Sequence, residues 1–436
     1  VSVRLNLGDG NFAAEVVYGV GNAPQSVAIG DLDGDGDADL VVVNYFNSAS
    51  VSVLLNLGDG TFAEDALYGA GNGPFSVAIG DLNGDGDADL AVANAWSDNV
   101  SVLLNLGDGT FADGVFYGAG DDPYSVAIGD LDGDGDADLA VANRFSDNVS
   151  VLLNLGDGTF AEDALYEAGD GPRSVAIGDL DGDGDADLAV ANGDSDNVSV
   201  LLNLGDGTFA EDALYGAGDR PFSVAIGDLD GDGDADLAVA YLFSNTVSVL
   251  LNLGDGTFVE DALYEAGSGP RSVAIGDLDG DGDADLAVAN QVSGNVSVLL
   301  NLGDGTFAED ALYGAGNYPI SVAICDLDGD GDADLAVVNF FGDNVSVLLN
   351  LGDGTFAEDA LYGAGDRPFS VAIGDLDGDG DADLAVANRF SDNVSVLLNL
   401  GDGTFAADAL YGAGNGPISV AIGDLDGDGD ADLAVA

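Results

Sequence analysis

Hydrophobic positions along this chain fall in short runs cut by glycine and aspartate, and the same order of runs returns every 49 residues after a first interval of 50. In the clearest unit, residues 76–79 (Ser-Val-Ala-Ile) form a β-rich run that leads into an acidic loop. Residues 90–94 (Leu-Ala-Val-Ala-Asn) follow, then a short variable loop, then 100–105 (Val-Ser-Val-Leu-Leu-Asn). Gly107-Asp108-Gly109 reads as a hairpin turn, and residues 110–117 supply a fourth strand before Pro123 opens the next unit. No segment sustains apolar residues at i, i+3 and i+4, so no helix is predicted.

Four strands per unit predict an all-β fold, a β-propeller of four-stranded antiparallel blades. With the strands lettered A to D from residue 76, the N-terminus supplies a C and a D, and residues 419–436 supply an A and a B. Joined, residues 1–20 and 419–436 make one closing blade, which removes the exposed sheet edges of an open array. Nine A–B halves and nine C–D halves predict nine blades in a single domain over 1–436, where propellers usually stop at about eight. Phe12, Phe62, Phe111 and Tyr18, Tyr68, Tyr117, with their equivalents, recur once per unit and are expected to pack blade against blade.

The acidic loops carry the candidate chemistry. The first is Asp31, Asp33, Asp35, Asp37 and Asp39, interleaved with Leu32, Gly34, Gly36 and Ala38. The second is Asp81, Asn83, Asp85, Asp87 and Asp89. The third and fourth are Asp130, Asp132, Asp134, Asp136, Asp138 and Asp179, Asp181, Asp183, Asp185, Asp187. The fifth and sixth are Asp228, Asp230, Asp232, Asp234, Asp236 and Asp277, Asp279, Asp281, Asp283, Asp285. Asp326, Asp328, Asp330, Asp332, Asp334 and Asp375, Asp377, Asp379, Asp381, Asp383 come next, and Asp424, Asp426, Asp428, Asp430, Asp432 close the series. Carboxylates at loop positions 1, 3, 5 and 9 can converge on one hard cation, with position 7 giving its backbone carbonyl. Glycine at position 6 permits the positive φ such a loop needs. An all-oxygen donor set of flexible geometry suits Ca²⁺ rather than Zn²⁺, at about one ion per repeat. A solvated acidic turn is the bland alternative, and nine copies in register argue against it. An EF-hand is excluded by the lack of flanking helices and by Val42 at loop position 12. A nine-residue β-roll repeat is excluded by the 49-residue period.

Charge narrows the partners. The 436 residues hold 81 acids against seven arginines and no lysine or histidine, a formal net charge of −74. Nucleic acid and anionic membranes are therefore poor partners. One Ca²⁺ in each of nine loops would bring the charge only to −56, so the surface stays acidic, suited to a calcium-rich or salty medium. No apolar run approaches a membrane span, so no membrane insertion is expected. Cys325 replaces the glycine that ends strand A in the other units and is expected to be a small buried thiol. The absence of Met and the part-repeats at both ends suggest a mature fragment or an excised domain.

Residues 125–141 (Ser-Val-Ala-Ile-Gly-Asp-Leu-Asp-Gly-Asp-Gly-Asp-Ala-Asp-Leu-Ala-Val) and 154–160 (Asn-Leu-Gly-Asp-Gly-Thr-Phe) resemble the FG-GAP, or VCBS-type, calcium-binding repeat. The resemblance covers essentially the whole chain. It implies a Ca²⁺-bound propeller used for binding, as in the heads of integrin α chains and some fungal lectins, and names no ligand. Nine units exceed the seven typical of integrin heads. Their near-identity points to recent amplification or an engineered consensus.

The units differ mainly in two segments. One is the B–C loop, which carries Trp96, Arg144-Phe145, Phe340-Phe341 and Arg389-Phe390 where another unit has Gly193-Asp194. The other is the D–A connection around each proline, with Phe75, Tyr124, Arg173, Phe222, Arg271 and Arg367. In an up-and-down blade both segments share one face, opposite the acidic loops and the Gly-Asp-Gly turns. Trp96, Arg144, Phe145, Arg173, Phe222, Arg271, Phe340, Phe341, Arg389 and Phe390 are the candidate ligand-binding residues, because arginine and aromatics dominate binding hot spots. Drift at unconstrained loop tips is the alternative. Asn99, Asn148, Asn197, Asn295, Asn344 and Asn393 each start an Asn-Val-Ser sequon and also read as turn residues before strand C.

The leading expectation is an extracellular or cell-surface, monomeric, Ca²⁺-stabilised ring that binds a glycan or protein ligand on the variable face. A structural or engineered scaffold without ligand is the alternative. An enzyme, such as one acting on polysaccharide through paired carboxylates, ranks third, since most nucleophile and base arrangements need residues this chain lacks.

Overall fold

The computed structural model describes residues 1–7, 12–14, 16–45, 49–58, 61–216, 218–259, 262–413, 415–425 and 431–435. These form nine four-stranded antiparallel sheets arranged as blades, with no helix. A representative blade has strand A at Pro74–Gly80, B at Asp89–Asn94, C at Asn99–Leu103 and D at Val115–Gly118. The ring closes as the sequence predicts. Ser2–Arg4 pairs with Asp432–Val435, Val3 opposite Ala434, so the two ends of the chain share one sheet.

Strands B and C are continuous apolar runs because they are buried on both faces, each blade being sandwiched between two others. Leu90, Ala91, Val92 and Ala93 have no exposed surface. The one polar residue inside strand C, Ser101, accepts the Gly71 N–H at 3.0 Å and the Asn94 side-chain amide at 2.8 Å. In one blade Tyr241 replaces that asparagine, and its hydroxyl meets Ser248 at 2.9 Å. The buried hydroxyl thus keeps a partner.

The recurring aromatics join the blades. Tyr18 packs edge-on against Phe62 of the next blade with ring centroids 5.4 Å apart, and its hydroxyl accepts the Phe62 N–H at 2.9 Å. The same pair recurs around the ring and across the closing seam, where Phe12 meets Tyr411 at 5.4 Å.

Two details depart from the sequence reading. Strand D is short: Phe111 forms an isolated bridge with Asn105, and the ladder resumes only at Val115. In several blades an acid falls in this gap, as where Asp163 accepts the Ser150 hydroxyl at 3.3 Å, but the gap is the same where Gly114 stands instead. Strand A carries a β-bulge after its proline, as between Pro74 and Ser76, and this sets Phe75 out of the ladder. The same irregularity follows Pro123, Pro172, Pro221 and Pro270, so each variable residue there sits on a bulge.

Candidate metal loops and the opposite face

Each acidic loop links strands A and B. Gly34 and Gly36 adopt φ of 72° and 97°, which curls the loop back on its first carboxylate. Asp31 accepts the N–H of Gly34 at 2.8 Å and of Gly36 at 3.1 Å. Asp39 is buried, and its two oxygens accept Leu32 N–H at 2.8 Å and Asn56 N–H at 2.7 Å. The loop is therefore held by its own carboxylates at both ends.

Carboxylate oxygens of Asp31, Asp33 and Asp39 lie within 4.8 Å of one another. The same trio forms at Asp130, Asp132, Asp138, at Asp179, Asp181, Asp187 and at Asp277, Asp279, Asp285, while Asp228 and Asp230 gather with Asp232. The side chain at position 7 turns away. The Asp87 carboxylate lies over Gly107, where an added Cβ would meet it at 2.8 Å, so this carboxylate packs on the C–D turn. The candidates Asp426, Asp428 and Asp430 lie outside the described residues, as does Phe46 of the variable loop.

The electrostatics are those of a site short of positive charge. Burial pushes Asp39 up to about 6, against the pull of the Asn56 and Leu32 amides, and the Asp33 and Asp35 carboxylates push it further. The equivalent Asp89, Asp138, Asp187 and Asp236 are also pushed up to about 6. Asp33 is raised by burial and, after the opposing pull of the Asp35 amide, by its neighbours Asp35 and Asp31.

One contributor escapes the sequence reading. Asn105, at the end of strand C, donates its side-chain amide to Leu32 O of the preceding blade at 2.5 Å and to Ala88 O of its own loop at 3.0 Å. Its backbone N–H meets Asp89 at 2.6 Å. Asn154, Asn203 and Asn301 repeat this, so every such asparagine ties two acidic loops together. Its recurrence before each Gly-Asp-Gly turn was the available signal.

The variable segments meet on the face away from these loops. Ala95 and Trp96 of a B–C loop donate N–H groups to Gly73 O and Asn72 O of the D–A connection, at 2.9 and 3.0 Å. Across three adjacent blades, Tyr45, Phe75, Trp96, Tyr124, Arg144 and Phe145 line a cleft of about 410 Å³ together with Asp98, Asp121 and Asp122. Phe75 and Tyr124 stack at 4.1 Å, and Tyr45 meets Trp96 at 4.8 Å. Trp96 and Phe145 remain 49% and 66% exposed. Tyr45, Phe75 and Tyr124 are not among the sequence candidates, although two of them sit at the bulge.

The FG-GAP-like repeat model matches this chain at residues 1–42, 33–92, 89–141, 130–190, 179–239, 237–288, 277–337, 326–386 and 375–435. The chain belongs to the FG-GAP-like repeat family. No curated protein matches it. Among solved structures it is similar to an Agrocybe aegerita lectin described as recognising non-reducing terminal N-acetylglucosamine, at 24% identity over 77% of this chain and 93% of that one, TM-score 0.44. It is also similar to the V. cholerae biofilm matrix protein Bap1, at 15% identity over 95% and 84%, TM-score 0.49. The dihydro-heme d1 dehydrogenase NirN in complex with DHE matches at 15% identity over 84% and 74%, TM-score 0.52. At these identities the likeness concerns the fold.

On the variable face of this FG-GAP propeller the candidate residues fall into separate clusters. Arg144 lies over Tyr124 and Phe145 at 5.6 and 5.1 Å and pairs with Asp122 at 4.0 Å. Arg173 pairs with Asp194 at 3.4 Å. Arg271 covers Phe222 at 5.0 Å. Phe340, Phe341, Arg389 and Phe390 gather around Arg367, which the sequence candidates omit. The sequon asparagines are engaged in turns: Asn99 accepts from Asn94 and Ser97, both at 3.0 Å. Cys325 is half-buried rather than buried, and burial, with Asp326 and Asp334 nearby, raises its thiol pKa.

Proposed function

We propose that this chain is a Ca²⁺-stabilised, ligand-binding FG-GAP propeller of the extracellular or cell-surface kind, acting as a monomeric ring and not as an enzyme. The observation that carries the reading is the division of labour between faces. Oxygen clusters recur on one, and an aromatic cleft of about 410 Å³ opens on the other.

The donor set fits calcium. Asp31, Asp33 and Asp39, with Asp35 beside them, offer only oxygen, in a loop already curled by its own amides. The ion would supply positive charge to carboxylates that otherwise repel one another. Asp39 and the asparagine at the end of strand C would pass that order to the strands.

In the cleft, Trp96 and Tyr45 offer flat apolar faces, while Asp98 and Asp121 offer acceptors. That combination suits a sugar ring or an apolar peptide side chain. The test is a glycan-array and protein-ligand screen in millimolar Ca²⁺, repeated with Trp96→Ala and with EDTA. Binding that depends on Trp96 and on Ca²⁺ supports the reading. A folded, calcium-loaded ring that binds nothing favours the plain repeat scaffold, which the near-identity of the units also suggests.

A further inference from the structure

Among the described residues, Arg367 and Arg389 are the two arginines that lie over one and the same ring, Phe390. Arg367 lies at the D–A connection before Pro368, and Arg389 in the B–C loop of the blade that follows. The backbone joins them, with the Arg389 N–H donating to Arg367 O at 3.0 Å. The Arg367 guanidinium carbon sits 4.1 Å from the Phe341 ring centre, 5.2 Å from Phe340 and 5.5 Å from Phe390. The Arg389 carbon lies 5.7 Å from Phe369 and 5.9 Å from Phe390. Two guanidinium groups thus share one ring, Phe390, which is 64% exposed.

Neither has an ion pair among the described residues, in a chain with 81 acids. The Asp343 carboxylate accepts the Arg367 backbone N–H at 3.0 Å. Arg367 also holds φ at 59°, at a position filled by Gly73, Gly171, Gly269 and Gly416 in four other blades and by Ala23, Asp122, Arg220 and Tyr318 in the remaining four. A side chain at such a position costs about 1–2 kcal/mol relative to glycine. The fold does not need it there.

We propose that Arg367, Arg389 and Phe390 form an anion subsite that takes a single carboxylate on an apolar-faced body. This rests on the reading of the variable face as the binding face. Each guanidinium lies within cation–π distance of phenylalanine rings, which offer it no acceptor oxygen, so its N–H groups remain for a planar acceptor, and a carboxylate matches them in bidentate fashion. Phe390 supplies a flat surface for the rest of the ligand. The net charge of −74 repels polyanions, so the occupant carries one negative charge.

The experiment titrates the whole chain, in millimolar Ca²⁺ and about 0.15 M salt, with N-acetylphenylalanine and glucuronate. Each is compared with its neutral counterpart, N-acetylphenylalanine amide or glucose, and inorganic phosphate is a further arm. We expect at least one carboxylate to bind at one site, at least tenfold more tightly than its neutral counterpart. Arg367→Gly should lower that affinity at least tenfold without lowering the melting temperature, since glycine accepts the local φ. Preference for N-acetylphenylalanine would identify a peptide C-terminus as the source, and preference for glucuronate an acidic sugar. Equal binding of the neutral compounds, equal binding of phosphate, or unchanged affinity in Arg367→Gly would overturn the proposal. If binding to the face is lost in Trp96→Ala but kept in Arg367→Gly, this subsite fails and the wider reading of the face stands.

Discussion

The side-chain amide of Asn105 reaches across a blade junction to the carbonyl oxygen of Leu32, 2.5 Å away. Leu32 is position 2 of the preceding acidic loop, and its own N–H donates to Asp39. One asparagine therefore links the strand ladder of its blade to the metal-binding candidate of its neighbour. Asn105→Ala strips the Leu32 and Ala88 carbonyls of a buried donor, at about 1–3 kcal/mol for each group left unpaired. Chemical denaturation should show a loss of about 2–6 kcal/mol. Calcium affinity at the Asp31 loop should fall as well. A variant of native stability would mean that these carbonyls find other partners.

Calcium removal should lower the melting temperature strongly. Sites of the extracellular kind bind at about 10⁻⁴–10⁻³ M. At tenfold excess over Kd each filled loop adds about 1.4 kcal/mol, so nine loops together add on the order of 10 kcal/mol. Calorimetry before and after EDTA measures this. An unchanged melting curve after verified removal of all metal would end the calcium assignment.

The metal-free protein should respond to pH in the opposite sense from an ordinary acidic protein. Asp39, Asp138 and Asp285 have folded-state pKa values pushed up to about 6 by burial, above the ordinary 3.8. Between these values the folded state binds more protons than the unfolded chain. These groups therefore contribute stability that is fully present below about pH 4 and is lost as pH rises through 6. The apo protein should melt at a higher temperature at pH 5 than at pH 7.5. With calcium the order reverses, because protons and the ion compete for the same oxygens. A higher apo melting temperature at pH 7.5 would show that these carboxylates are stabilised in their charged form.

The Asp81 loop should bind more weakly than its relatives. Asn83 keeps an oxygen at position 3, accepting the Asp85 N–H at 2.9 Å as Asp132 accepts that of Asp134 at 3.2 Å. It lacks a negative charge. Calcium titration followed residue by residue should fill this loop last, and Asn83→Asp should bring it level. Should it stay empty in millimolar Ca²⁺ while the others fill, the charge at position 3 is essential.

The strands and closure of the ring were legible because their signals are local. An apolar run, a Gly-Asp-Gly turn and a truncated repeat at each end can be read within a few residues. What was hidden depends on partners far along the chain. Asn105 answers to Leu32, 73 residues away. The variable face was legible as a face, since turns alternate between the two ends of each blade. Its division into clusters was not, because loop order says nothing of which ring an arginine will cover.

The closing seam offers the last test. Arg4 stands where other blades place a buried leucine such as Leu54 or Leu103. It is itself buried, donating to Gly412 O at 3.1 and 2.7 Å and to Ala13 O at 2.9 Å, with its guanidinium 5.0 Å from the Tyr411 ring. It spans the seam between the first strand of the chain and the last complete blade. A buried charge held by carbonyl oxygens still bears a desolvation cost, and well-packed apolar replacements are often neutral or stabilising by about 1–4 kcal/mol. Arg4→Leu restores the residue the other blades use, so it should leave stability unchanged or raised. Arg4→Ala removes the bonds and leaves a cavity, and should cost about 2–4 kcal/mol. Chemical denaturation of the two variants separates packing from hydrogen bonding at the seam. If Arg4→Leu is as damaging as Arg4→Ala, the carbonyl contacts are what keep the ring shut.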